Sequence, residues 1–315
     1  MEIEDGSRPL KRVRTDVHKP HSSATSPLSD MPPLSLSILG VEPMDEFIRE
    51  VADFIYHMIG MLPRDTPGAT VEVEAKIGIL RDRLSGNRLN LPVLTETILS
   101  PNFGDFRFES NMTSKQHQHF NVLLNGLKTS PPSTVLTPLN YTHLYLVDSF
   151  YPSPDSSSGP DDKIRVTRDE RTGEVKECVK KIRLGDLNIY CPKRVADWRI
   201  SVNIEIPVPH PLGSATHTRR KDRMSYLHEE FNIDLTQVTS NQGTAPTTMG
   251  HELILSSPQV THELEVEVAR PALLLATAAN RGNPNVPEHE RGAFDELIRA
   301  FVNNARTLIR NVSTD

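Results

Sequence analysis

Residues 70–80 read TVEVEAKIGIL and residues 261–271 read THELEVEVARP, so Glu72 and Glu74 on one segment, and Glu263, Glu265 and Glu267 on another, recur at every second position. A third segment, TRRKDRMSYLH at 218–228, does the same with Arg219, Lys221 and Arg223. Period two is the spacing of one face of a β-strand. Solvated faces usually mix signs, because like charges facing one another weaken a sheet. Here the signs are sorted. Carboxylates at i and i+2 lie about 7 Å apart and repel by about 0.6 kcal/mol in water, but by about 2.4 kcal/mol at an effective dielectric near 20. Exposed, such rows mean little. Enclosed, they require basic rows from neighbouring strands and a divalent metal on carboxylate oxygens. The ligand that suits this lining is a polyphosphate, which pairs with Arg and Lys and needs a metal before it can approach Glu.

Those rows must be carried by strands, and the intervening sequence supplies more of them. IRVTRDE (164–170), the turn RTGE (171–174) and VKECVKKIRL (175–184) form a hairpin. WRISVNIEIPVP (198–209) sets Ile200, Val202, Ile204 and Ile206 against Arg199, Ser201, Asn203 and Glu205, while NIDLTQV (232–238) carries Asp234. A closed barrel with apolar residues outward under helices and charges inward accommodates all of these rows. Helical periodicity predicts packing helices after Pro43, with Pro63 closing the segment, at 114–127 behind Ser114 as cap, and at 291–310, with a shorter helix following Pro271. The stretches 151–162, 210–217 and 239–250 consist of turn residues and read as connectors.

The 315 residues suffice for a large core, and 37% hydrophobic and 24% charged residues with 25 prolines fit a globular protein carrying a disordered tail. Residues 1–37 read as that tail and 38–315 as the catalytic domain. The tail holds a basic cluster, LKRVR, that reads either as a nuclear-import signal or as a solvated charge run. No apolar run reaches the length of a membrane span, the first residues lack a signal core, and two cysteines give no disulfide framework. A net charge of −6 argues against general nucleic-acid binding, so a polyanion needs a local concentration of Lys and Arg. Cysteine-phosphatase chemistry would need an Arg six positions after the nucleophile, but Leu184 follows Cys178 and Asp197 follows Cys191 at that distance. A Walker phosphate loop is also missing. His117 and His119 point to different sides of a helix and do not share a metal, and Trp198 reads as packing.

The motifs VEVEAKIG, ISVNIEIPVP, RRKDRMSYLH and HELEVEV, in that order, resemble the fungal type of mRNA 5′-triphosphatase, the β subunit of the capping enzyme, among the triphosphate tunnel metalloenzymes. The resemblance runs from about residue 43 to residue 310. It implies an eight-stranded antiparallel closed β tunnel with packing helices, mainly β in an α+β arrangement, that removes the γ-phosphate from nascent RNA with Mg²⁺ or Mn²⁺. By the same resemblance Glu72, Glu74 and Glu267 are metal ligands, with Glu263 and Glu265 on the same acidic strand. Arg165, Lys181, Arg219, Lys221 and Arg223 grip the triphosphate, Lys76 joins them, and Glu205 and Asp234 order those side chains or the attacking water. A slip of one residue would put Lys180 inward in place of Lys181. The family also implies a nuclear homodimer that contacts the guanylyltransferase and the phosphorylated tail of RNA polymerase II, although residues 1–42 lack the Trp-containing docking tract of some members. Two other readings stay open: a tunnel hydrolase of inorganic tripolyphosphate or nucleoside triphosphates, and a noncatalytic polyphosphate-binding protein.

Overall fold

The computed structural model describes residues 34–43, 45–62, 66–130, 137–153, 163–242 and 258–313. The expected tail and its basic cluster lie largely outside the described residues, as does Pro63. The chain divides into Met1–Met44 and Asp45–Asp315. In the first unit a tight turn is closed by Gly40 N donating to Ser37 O at 3.0 Å.

Among the described residues the second unit has ten strands: β1 (Thr70–Asp82), β2 (Thr97–Ile98), β3 (Phe106–Glu109), β4 (Asn140–Pro152), β5 (Lys163–Asp169), β6 (Val175–Tyr190), β7 (Asp197–Pro207), β8 (His217–His228), β9 (Phe231–Gln242) and β10 (Gln259–Val268). Its helices are α1 (Glu46–Gly60), α2 (Ser114–Thr129), α3 (Pro271–Asn280) and α4 (Glu288–Arg310). Eight of the strands run antiparallel in the order β10-β9-β8-β4-β5-β6-β7-β1, and β10 pairs back onto β1 to close the barrel. β3 extends the far end of β1, where Gly78 is required because a Cβ there would lie 2.2 Å from the Glu109 carbonyl oxygen.

Strand alternation sorts the barrel into two faces. Val71, Val73, Ala75 and Ile77 of β1, Trp198, Ile200 and Val202 of β7, and Leu264, Val266 and Val268 of β10 are buried in one core with α1, α3 and α4. Trp198 is thus a packing residue, as expected. A bulge between Arg183 and Gly185 resets the parity of β6, and the missing side chain of Gly185 admits Met58 of α1.

Helix starts differ from the sequence reading by a few residues; side chains cap α1 and α2 at the first turn, whereas α4 starts behind Pro287 with no side-chain cap. Asp45 Oδ1 accepts from Phe47 N at 2.9 Å, which starts α1 after Pro43. Thr113, not Ser114, caps α2 through a capping box with Gln116. α4 begins at Glu288, three residues before the predicted start. The larger omission is β4, whose face toward the interior mixes Leu144, Leu146 and Phe150 with the single acid Asp148 and so lacks a sorted row. No helix among the described residues is long and apolar enough to cross a membrane.

Candidate active site

Inside the barrel is a cavity of about 840 Å³. Nine carboxylates line it, from Glu72, Glu74, Asp148, Asp169, Glu177, Glu205, Glu263, Glu265 and Glu267, and nine cations, from Lys76, Lys163, Arg165, Lys176, Lys181, Arg183, Arg219, Lys221 and Arg223. The closing register makes the two acidic rows neighbours: Glu74 is the Cα partner of Glu267, and Lys76 of Glu265. β7 lies on the other side of β1, with Asn203 opposite Glu72 and Glu205 opposite Thr70.

Opposite charges interlock across this lining. Lys76 Nζ lies 2.6 Å from Glu265 Oε1 and 3.2 Å from Glu74 Oε2. Burial opposes its charge, but Glu265, Glu74 and Glu263 outweigh burial and hold its pKa above the ordinary lysine value. Lys181 Nζ contacts Glu72 and lies 3.7 Å from Glu74 Oε1, which settles the inward residue as Lys181. Arg165 Nη2 bridges Glu205 Oε1 at 2.9 Å and Glu177 Oε2 at 3.0 Å. Arg219 Nη2 pairs with Glu263 Oε1 at 2.8 Å. Arg223 reaches Asp234 Oδ2 at 2.7 Å and Glu265 Oε2 at 3.4 Å.

Asp148, Asn203 and Glu177 of this network escaped the sequence reading. Asp148, fully buried on β4, forms an ion pair with Lys221 and accepts from Thr167 Oγ1 at 2.8 Å. Burial pulls the Lys221 ammonium below its usual pKa, and Asp148 works against that. Asn203 donates through Nδ2 to Glu72 Oε2 at 2.8 Å and to Glu74 Oε1 at 3.3 Å, aligning both carboxylates. A lone acid in an apolar alternating row is the signal that marks Asp148, and the position beside two glutamates that marks Asn203 exists only in the folded register.

In the chemistry of their donor atoms, though not in their present spacing, the residues suit a hard divalent cation. Glu267 makes no ion pair among the described residues, and burial followed by Glu72, Asp234, Glu74 and Glu265 raises its pKa well above the usual carboxylate value. The buried Asn203 Oδ1, beside Glu72 and Glu74, has no hydrogen-bond partner. These oxygens are the donor set that such a cation takes. In the structure as it stands, lysines occupy Glu72 and Glu74, and no three of the described acidic, His or Cys side chains are gathered closely enough to share one ion. Binding would require the lysines to turn away. On the opposite wall the buried Arg165 Nε is also unpartnered, a donor suited to a phosphoryl oxygen.

A sequence profile of the family described as mRNA capping enzyme, beta chain, matches residues 41–314. The mRNA-capping enzyme subunit beta of Schizosaccharomyces pombe is 38% identical over 226 residues, which cover 71% of this chain and 72% of that protein. Its namesake in Cryptococcus neoformans is 34% identical over 286 residues, 89% of this chain and 65% of that one. Among solved structures, the S. pombe Pct1 RNA triphosphatase superposes with a TM-score of 0.75 at 33% identity, covering 90% of this chain and all of its own, and it has also been solved in complex with the Spt5 CTD. With a match that spans the whole barrel and its helices, the chain belongs to the family of the mRNA capping enzyme β chain.

Proposed function

We propose that this chain is an RNA 5′-triphosphatase that hydrolyses the γ-phosphate of triphosphate-ended nascent RNA to leave a diphosphate end, the first step of cap formation. The observation that carries the reading is the closing register, which brings Glu74 beside Glu267 and turns both acidic rows toward Arg165, Lys181, Arg219, Lys221 and Arg223. A lining with equal numbers of acids and bases does not attract a polyanion by charge alone, so the chemistry requires an added cation as well as the basic wall.

Glu72, Glu74 and Glu267 are the residues that would hold Mg²⁺ or Mn²⁺. When bound, the ion supplies polarisation of the phosphoryl oxygens. Arg165, Lys181, Lys221 and Arg223 orient the phosphates and neutralise charge that develops on the phosphoryl and leaving oxygens. Asp148 and Asp234 hold Lys221 and Arg223 in place, while Lys76 and Arg219 keep Glu265 and Glu263 from repelling the substrate. Glu205 takes the proton of the attacking water, with Arg165 fixing its carboxylate.

The relatives' name as a capping-enzyme subunit supports assembly with the guanylyltransferase and a nuclear location, and the Pct1 complex with the Spt5 CTD supports a separate tail-binding contact. The homodimer and contact with the phosphorylated polymerase tail belong to the same proposal. The test is γ-phosphate release from triphosphate-ended RNA with and without added Mg²⁺ or Mn²⁺, in the wild type and in Glu205→Gln. Metal-dependent release that drops about 10²-fold in the variant, with metal binding retained, is expected. Absence of release from the wild type sinks the reading.

A further inference from the structure

The phosphate-facing residues leave open where the rest of an RNA goes. Strand registers answer by showing that the two directions along the barrel differ. On four adjacent strands, in the same direction, the next inward position after a site residue is Phe150 after Asp148, His217 before Arg219, Lys163 before Arg165 and Arg183 after Lys181, and across strands Phe150 is the Cα partner of both His217 and Arg165. In the opposite direction β5 and β6 present Asp169 and Glu177 with Lys176, while at the first end Arg183 pairs with Asp186 at 3.1 Å. One end is therefore cationic and aromatic, and the other carries more acid.

Phe150 and His217 are Cα partners on the inward-facing rows of β4 and β8, and their rings lie parallel, with centroids 4.3 Å apart and planes at 2°. Both are half-buried. His217 Nδ1 lies 3.1 Å from Thr216 Oγ1, which fixes the imidazole plane. Burial first, then Lys163 and Arg219, keep the His217 pKa below its ordinary value, so at neutral pH the ring is uncharged. Phe150 lines the cavity, and His217 stands on the same row of β8 as Arg219, Lys221 and Arg223, so the pair contributes a flat π surface to a polar channel between cations. A flat π surface between cations is the composition that binds a single nucleic-acid strand: the base stacks and the backbone phosphate pairs.

We propose that the Phe150–His217 pair is the seat of the first nucleobase of a triphosphate-ended RNA, with Lys163 and Arg183 taking the next backbone phosphate, so that the RNA leaves through this end. The proposal rests on the triphosphatase reading of the tunnel and adds the feature that separates RNA from inorganic tripolyphosphate. A stacked base contributes roughly 5- to 150-fold in affinity.

The experiment measures kcat/KM of the full chain for a triphosphate-ended oligoribonucleotide and for tripolyphosphate, in the wild type, Phe150→Ala, Phe150→Tyr and His217→Ala. The ratio of RNA to tripolyphosphate is expected to fall about tenfold in Phe150→Ala, mainly through KM for RNA, to recover in Phe150→Tyr, and to fall in His217→Ala. A 2-aminopurine at the first transcribed position should be quenched on binding wild type and not on binding Phe150→Ala. A ratio within twofold of wild type in both alanine variants, or a quench that persists in Phe150→Ala, overturns the proposal. A wild type that hydrolyses tripolyphosphate but not RNA overturns the triphosphatase reading itself, before any variant is compared.

Discussion

Glu267 stands among like charges: burial, then Glu72, Asp234, Glu74 and Glu265, raise its pKa, and no cation among the described residues pairs with it. Replacing it by Gln should abolish metal-dependent turnover while raising the melting temperature by about 2–4 °C, the shift that about 1 kcal/mol of relieved repulsion gives in a domain of this size. Glu72→Ala and Glu74→Ala should also lose turnover and keep the fold, whereas three side chains on a solvated face would leave activity unchanged. Circular dichroism, metal titration and phosphate release on each variant decide between these. Asp148→Asn makes a different prediction. It removes the charge that opposes the downward push of burial on Lys221, so the Lys221 pKa drops further and the alkaline limb of kcat/KM should move to lower pH, with turnover down at least about tenfold. Unmoved pH profiles would show that Lys221 does not act as a cation in the reaction. The sorted acidic and basic rows were legible in the sequence, because enclosure leaves a period-two trace along each strand. Asp148 was not, since its row is otherwise Leu144, Leu146 and Phe150, and Asn203 gained its role only from the register that sets it opposite Glu72.

Between the residue and the barrel, helices decide how the outer face is covered. α2 lies over β9 and β10, and where its first turn meets the sheet the rings of His117 and His262 sit 4.7 Å apart. Burial, then His262, push the His117 pKa down to about 4, against a partial upward pull from Asp222. Across the window from pH 6.5 down to 4, the unfolded chain takes up this proton more readily than the folded one. The stabilising contribution is therefore complete above pH 6.5 and lost as the pH falls through about 4. Calorimetric melting at pH 7, 5 and 4 should show a downward trend that is shallower in His117→Phe; parallel trends would refute the assignment. The helices were legible as apolar stripes, yet their first residues were not, because a cap is chosen by which side chain reaches an open N–H, as Asp45 and Thr113 do. β4 was missed because a strand whose inner row is mainly apolar leaves no sorted charge for the search to follow.

At the scale of the whole molecule, all site residues described lie between Glu72 and Glu267, so a chain beginning at residue 38 should retain phosphate release within a few fold of the full length. A folded but inactive truncation would place chemistry in the first 37 residues. The barrel's seam has a different kind of consequence. Lys76 and Glu265, which meet across it, are 189 positions apart in the chain. The carboxylates of Glu74 and Glu267 repel at the same junction. Closing so long a loop is slow, because chain entropy is lost before the contact rewards it. The reaction chamber thus cannot exist before its eighth strand is made: during synthesis the first seven strands of the cylinder can pair while its two edges remain open, and a copy that stops short of β10 lacks the Glu74–Glu267 pair with which to hold a cation.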